Sequence, residues 1–201
     1  MLQVQNYGNF PLSFEINEGQ TLPEVSFLTR GSGYSMFFTP SETVLLMRQS
    51  ADKKLSPKMK VKAQPIETKL LPEEQIKPAV LRMKLSGANE LPQVEGLEEL
   101  PGKVNYFIGN DPSKWYTDIS TFSRIKYYDV YPGIDIVYYG NQGQVEYDYV
   151  ISPGADPGLI TLDIQGVSSL DMDVNGDLIL GTDKGQLYFK KPYIYQEANG
   201  I

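Results

Sequence analysis

Proline and glycine interrupt this sequence so often that long helices have little room, with 14 Pro and 18 Gly among 201 residues. An interior proline removes a backbone donor and clashes with the preceding helical turn, and a glycine gives up extra backbone entropy. The segments between them are short and aromatic, with 14 Tyr, 8 Phe and 1 Trp in the chain. Aromatic side chains suit a pleated surface, and Gly, Pro and Asn suit the tight turns between strands. The expected fold is all-β, with roughly 11 to 14 strands of ordinary length. A β-sandwich of two mainly antiparallel sheets, with little helix, accommodates that many short strands. The length suits one core, so residues 1–201 are expected to form a single domain.

Local patterns place the strands. Residues 10–48 read as a compact β unit: FPLSFEIN, VSFLTR, a turn at Gly31 to Gly33, YSMFFTP and ETVLLMR. YSMFF and TVLLM are too continuously apolar for one-sided strands and are expected to be covered on both faces. In AVLRMKL, Val80, Arg82 and Lys84 alternate with Leu81, Met83 and Leu85, as a half-buried strand requires. Residues 87–115, with Pro92, Pro101 and Pro112, read as a long turn-rich connection. GIDIVYYG and QVEYDYVI flank an expected four-residue hairpin loop, Gly140 to Gly143. The end reads as a meander: LDMDV, an Asn175-Gly176 turn of type I′, DLILGT, a Lys184-Gly185 turn, QLYFKK and PYIYQE. Residues 49–78 differ in kind. Pro57, Pro65, Pro72 and Pro78 with a lysine-dense first half suggest a flexible Pro/Lys-rich loop, or a basic patch for an acidic partner.

Two residue types are missing, and their absence narrows the chemistry. Without His or Cys there is no Ser-His-Asp or Cys-His nucleophile, no thiolate or imidazole metal ligand and no disulfide. A net charge of -7 argues against general affinity for nucleic acid or anionic membrane. No apolar run is long enough to span a bilayer as a helix, which takes about 18 residues or more. No cofactor is expected, because no phosphate-cradling glycine motif occurs. The first residues lack the layout of a signal peptide, so either the protein is intracellular or the sequence is a piece of something longer, which its abrupt end after a strand-like run also suggests.

Three constellations remain. Glu146 and Asp148 share one strand face, near Asp129 and Asp135 in sequence, and paired carboxylates can serve a glycosidase. Asp171, Asp173, Asn175, Gly176 and Asp177 match the first half of a calcium loop, although position 12 is Thr182 instead of Glu. A hairpin with acidic flanks accounts for the same residues without a metal. Finally, Trp115, Tyr128, Tyr131, Tyr138, Tyr139 and Tyr147 could stack on sugar rings, or could form cross-strand pairs that hold the sheet together.

LSFEINEGQT (12–21), VSFLTRGSGYSMFFTPSE (25–42), LRMKLSGAN (81–89), VEGLEELPGKVNYFIGNDPSKW (94–115), YYDVYPGIDIVYYGNQGQVEYDYVISPGADP (127–157), NGDLILGT (175–182) and KPYIYQE (191–197) carry a resemblance. Together they are similar to the N-terminal domain of bacterial SBBP-type proteins, which precedes β-propeller repeats. That resemblance implies a secreted or cell-surface protein whose neighbour is a downstream propeller of the same polypeptide; it supplies no catalytic residues. The expected function is a non-catalytic extracellular module that supports the propeller and can bind carbohydrate. A carboxylate-dependent polysaccharide-acting enzyme, or a protein–protein adaptor using the lysine-rich loop or an open strand edge, are the alternatives.

Overall fold

The structure is a computed structural model that describes residues 12–31, 33–47, 78–183 and 185–196. The Pro/Lys-rich stretch falls almost wholly outside them. Thirteen strands are present among the described residues: β1 Phe14–Ile16, β2 Phe27–Gly31, β3 Tyr34–Phe38, β4 Glu42–Met47, β5 Ala79–Leu85, β6 Val94–Tyr106, β7 Tyr116–Tyr131, β8 Ile134–Asn141, β9 Gln144–Ile151, β10 Leu162–Gln165, β11 Ser169–Met172, β12 Leu178–Thr182 and β13 Gly185–Phe189. Among the described residues helix is limited to two 3₁₀ turns, Pro112–Lys114 and Pro157–Leu159, each opened by an aspartate whose side chain accepts from a backbone N–H. The all-β expectation holds.

The sandwich does not. One antiparallel sheet runs in the order β10-β5-β4-β3-β2-β1-β7-β8-β9, with β6 on the other edge of β7, and a separate small sheet is formed by β11-β12-β13. The large sheet curls into a half-barrel instead of facing a second large sheet. Aromatic rings inside the curl explain why one sheet suffices. Phe14, Phe38, Tyr138, Tyr147 and Tyr149 follow one another edge-on or tilted, at centroid separations of 5.0–5.7 Å. Rings this large fill a strongly curved interior, and edge-to-face geometry is their favoured arrangement. Hydroxyls then tie opposite parts of the curl together. Tyr127 donates to the Thr39 carbonyl at 3.0 Å, and Tyr131 to the Ser86 carbonyl at 2.9 Å. The small sheet adds Leu180, fully buried, with Leu187 and Phe189 packed alongside.

Alternation decides most of the burial. On β5, Ala79 and Leu81 are buried while Val80, Arg82 and Lys84 face solvent, as the sequence pattern requires. On β3 and β4, Met36, Phe38 and Leu45 are buried, whereas Phe37, Val44 and Leu46 are only half-buried, so the cover on the second face is partial. Several turns differ from expectation. The β8–β9 hairpin has a two-residue loop, because Asn141 already pairs with Gln144. Gln142 and Gly143 both take positive φ (49° and 80°), the geometry of a type I′ turn. At Asn175-Gly176 only the glycine has positive φ, and its N–H donates to the Asp173 carbonyl at 3.1 Å. That is a type I turn closed by a left-handed glycine, not type I′. The described part of PYIYQE, residues 192–196, is not a strand, since β13 ends at Phe189 and Tyr193, Ile194 and Tyr195 are exposed.

The largest difference lies at residues 87–115, where a turn-rich connection was expected and a 13-residue strand is found. Pro101 does not break it. The register against β7 shifts between Leu100 and Lys103, and β6 pairs on one side only, so the missing N–H interrupts no ladder. Gly96 lies over the Phe122 ring, where an added Cβ would come within 2.6 Å of it.

Two measurements check this account of the core. Phe38→Ala removes a fully buried ring and should lower unfolding stability by about 3–5 kcal/mol in urea. Burial pushes the Tyr138 phenol up to about 12, and Tyr127 and Tyr149 rise by the same cause. An unfolded tyrosine ionises near its ordinary value of about 10. Folding therefore favours the protonated phenols, and their stabilisation should be intact below about pH 10 and fall as pH rises toward 12. Urea midpoints at pH 9 and pH 11.5 should differ in that direction, and Tyr138→Phe should reduce the difference.

Candidate functional site

Strands β6 to β9 present an outer face that carries the polar and aromatic side chains not used by the core. Alternation sends Ile125 and Tyr127, Ile134 and Ile136, and Tyr147 and Tyr149 inward. Arg124, Lys126 and Tyr128 of β7, Asp135 and Tyr139 of β8, and Glu146 and Asp148 of β9 therefore point outward. Register aligns Arg124 with Tyr139 and Glu146 in one row, and Lys126 with Val137 and Asp148 in the next.

An irregularity in β7 shapes this face. Tyr127 pairs with Ile136 and Tyr131 with Ile134, leaving extra residues on β7 between them. Asp129 takes the left-handed conformation (φ 49°), and its N–H donates to Asp135 Oδ1 at 2.8 Å. The bulge leaves Tyr128 outside and turns Val130 and Tyr131 into the core. Lys126 Nζ meets Asp135 Oδ2 at 2.8 Å and lies 4.4 Å from the centre of the Tyr128 ring. The Tyr128 hydroxyl donates to Glu95 Oε2 at 2.9 Å. Partial burial pushes Asp135 up, but the hydrogen bonds from Lys126 and the Asp129 amide outweigh it and hold the carboxyl below its ordinary range. The Tyr139 hydroxyl lies 3.3 Å from Asp148 Oδ1, and burial followed by the Asp148 and Glu146 charges pushes that phenol up to about 12. Glu146 accepts from Asn141 Nδ2 at 2.9 Å.

The six aromatic candidates thus separate. Tyr128 and Tyr139 stand on the outer face. Tyr131 is buried in the core, where the bulge turns it, and Tyr138 and Tyr147, partly buried, pack against the core because strand alternation turns them inward. Trp115 sits at the tip of the β6–β7 hairpin, edge-on to Phe107 at 5.1 Å, with its N–H donating to the Gly109 carbonyl. At about 3.3 Å per residue along β7, it lies on the order of 40 Å from Tyr128. Of the four carboxylates, Asp135, Glu146 and Asp148 lie on the outer face, and Asp129 lies in the bulge. Glu146 and Asp148 share the β9 face, while Asp129 belongs to the bulge and Asp135 is committed to Lys126.

The calcium-like residues form a hairpin. Asp173 Oδ1 accepts the N–H groups of Asn175 and Asp177, at 2.8 and 2.9 Å. Asp177 binds Lys190 Nζ at 2.6 Å and the Lys191 N–H at 2.9 Å, and these bonds hold its carboxyl below the ordinary range. Asp171 is exposed on β11. Among the described residues no group of acidic side chains converges on a metal position.

A cluster that sequence reasoning did not find joins β1, β2 and β6. Glu15 is buried, yet it meets Arg30 Nη1 at 2.8 Å and accepts from the Tyr106 hydroxyl, which also binds Arg30. Burial, then the bond to Glu15, pushes the Tyr106 phenol up to about 12. The only hint in the sequence was a glutamate between Phe14 and Ile16. Its partners, 15 and 91 residues away, depend on the pairing of strands.

If the acidic hairpin is structural, 5 mM calcium chloride or EDTA should leave the thermal midpoint unchanged within about 1 °C. Asp173→Ala should lower stability by about 1–2 kcal/mol, as the loss of a backbone-capping carboxylate does.

No helix among the described residues is long and apolar enough to cross a membrane. No curated protein and no solved structure matches the sequence. A family model does match, over residues 14–201, covering both sheets, the outer tyrosine face and the Glu15 cluster. The chain therefore belongs to the family described as Domain of unknown function (DUF7948).

Proposed function

We propose that this domain is a non-catalytic extracellular module of the kind that precedes β-propeller repeats in SBBP-type proteins, and that its outer face binds carbohydrate. The carbohydrate reading is carried by one observation: Tyr128 and Tyr139 share the outer face of β7 and β8 with Glu95, Arg124, Glu146 and Asp148. An aromatic face takes the apolar side of a sugar ring, and flanking carboxylates and guanidinium groups take its hydroxyls. Four strand positions separate Asp135, beside Tyr128, from Tyr139, or about 13 Å along the sheet. That spacing suits an extended polysaccharide better than a single sugar.

The non-catalytic part rests on the absence of His and Cys and on the commitment of Asp135 to Lys126. Placement at the cell surface, ahead of a propeller, rests on the resemblance of the quoted segments alone.

Titration calorimetry against soluble cell-wall and storage polysaccharides tests the binding. Tyr128→Ala with Tyr139→Ala should weaken the affinity about tenfold or more while leaving the thermal midpoint nearly unchanged. Uniformly null titrations with the wild-type chain would remove carbohydrate from the reading.

A further inference from the structure

Among the described residues the main sheet ends in two open edges, β9 and β10, and β6 leaves a third on the side away from β7. Natural sheets guard such edges with short strands, prolines, bulges or charges, because unpaired N–H and C=O groups recruit other strands. β10 is only four residues long. β6 is interrupted by the shift at Pro101 and by Glu98, whose φ is 56°. β9 lacks the first three of these guards and carries only the charges of Glu146 and Asp148. It pairs with β8 at eight consecutive positions and contains no proline, glycine or lysine.

The two-residue turn fixes which groups on β9 face outward. Asn141 and Gln144 close it as a hydrogen-bonded pair, so Glu146, Asp148 and Val150 bond back to β8. Val145, Tyr147, Tyr149 and Ile151 direct their N–H and C=O groups away from the sheet. No turn or loop among the described residues hydrogen-bonds to these four backbones.

The side chains define what would pair there. On the outer face, Glu146 and Asp148 have only the neutral partners Asn141 and Tyr139 among the described residues. On the inner face, Tyr147 and Tyr149 border an opening in the half-barrel lined by Met83, Leu85 and Leu162. A second copy of this chain is a poor occupant. Antiparallel self-pairing centred on Tyr147 would set Glu146 against the other copy's Asp148 twice, and like charges directly opposite destabilise a sheet.

We infer that β9 accepts an extended segment of a partner protein as an added strand, with Lys or Arg at alternate positions facing Glu146 and Asp148 and apolar residues between them. Main-chain hydrogen bonds would supply the affinity and the two carboxylates the choice of sequence, as in other strand-addition complexes.

The probe is a capped synthetic peptide of alternating lysine and valine, titrated into the full chain labelled for NMR. Binding should slow amide exchange at Val145, Tyr147, Tyr149 and Ile151. Glu146→Gln with Asp148→Asn should weaken it about tenfold, as should replacing the peptide's lysines by glutamate. Raising salt from 50 to 500 mM should weaken it as well. Both substitutions are surface isosteres, and the spectrum of the free variant reports whether the fold is intact. Tyr128→Ala alone, whose hydroxyl bonds Glu95 and neither Glu146 nor Asp148, should leave peptide binding in place while weakening any carbohydrate binding, which separates this site from the carbohydrate reading. Absence of binding, protection elsewhere than at the four amides, indifference to the Glu146 and Asp148 substitutions, or a dimer paired through β9 would each overturn the proposal.

Discussion

A single strand, β7, must satisfy three neighbours with two edges, and the shape of the molecule follows from that. One edge is taken along most of its length by β6. The other is shared end to end, with β1 opposite Thr121 and Phe122 and β8 from Arg124 onward. Two strands cannot occupy one edge without diverging. The first half of the sheet, from β1 toward β10, and the second, β8 and β9, therefore leave β7 in different directions. The half-barrel is the result, and its concave side is where Phe38, Tyr127 and Tyr138 meet.

Polar groups inside the curl are matched with equal care. Thr29 is fully buried and donates to the Ser13 carbonyl at 2.7 Å, and Thr121 donates to the Gly102 carbonyl at 2.7 Å. Among the described residues no buried side-chain nitrogen or oxygen lacks a partner. An unpaired buried hydroxyl costs about 1–3 kcal/mol, so this matching separates an aromatic core that tolerates tyrosine from one that would need phenylalanine. The Glu15, Arg30 and Tyr106 cluster applies the same rule to a charge, and it fixes the β6–β7 arm against β1 and β2.

Much of the fold was legible in the sequence because strand alternation is local. β5 and the β8–β9 pair are set by the order of apolar and polar residues within eight positions, and the structure keeps those orders. Three things were not local. Pro101 looked like a strand breaker because nothing nearby indicates that its strand pairs on one side only. The type of the Asn175-Gly176 turn depends on Asp173 capping it, a contact that competes with the I′ geometry this dipeptide usually favours. Tyr131 is turned into the core by a bulge at Asp129 that no residue pattern marks. Of the candidate site, the residue types could be read, but Glu95, which accepts from the Tyr128 hydroxyl, comes from the pairing of β6 with β7.

The connection from β9 to β10 also bears on how the chain acquires its shape. These strands are consecutive in sequence and stand at opposite ends of the sheet. The β7–β8–β9 meander can form from near neighbours as soon as its turns close. β10 instead pairs with β5, Leu162 opposite Leu85, roughly 80 residues earlier, and closing so long a loop costs entropy before any contact offsets it. The meander is thus the natural nucleus, and the far margin of the half-barrel is the last part to assemble and the first to open under strain.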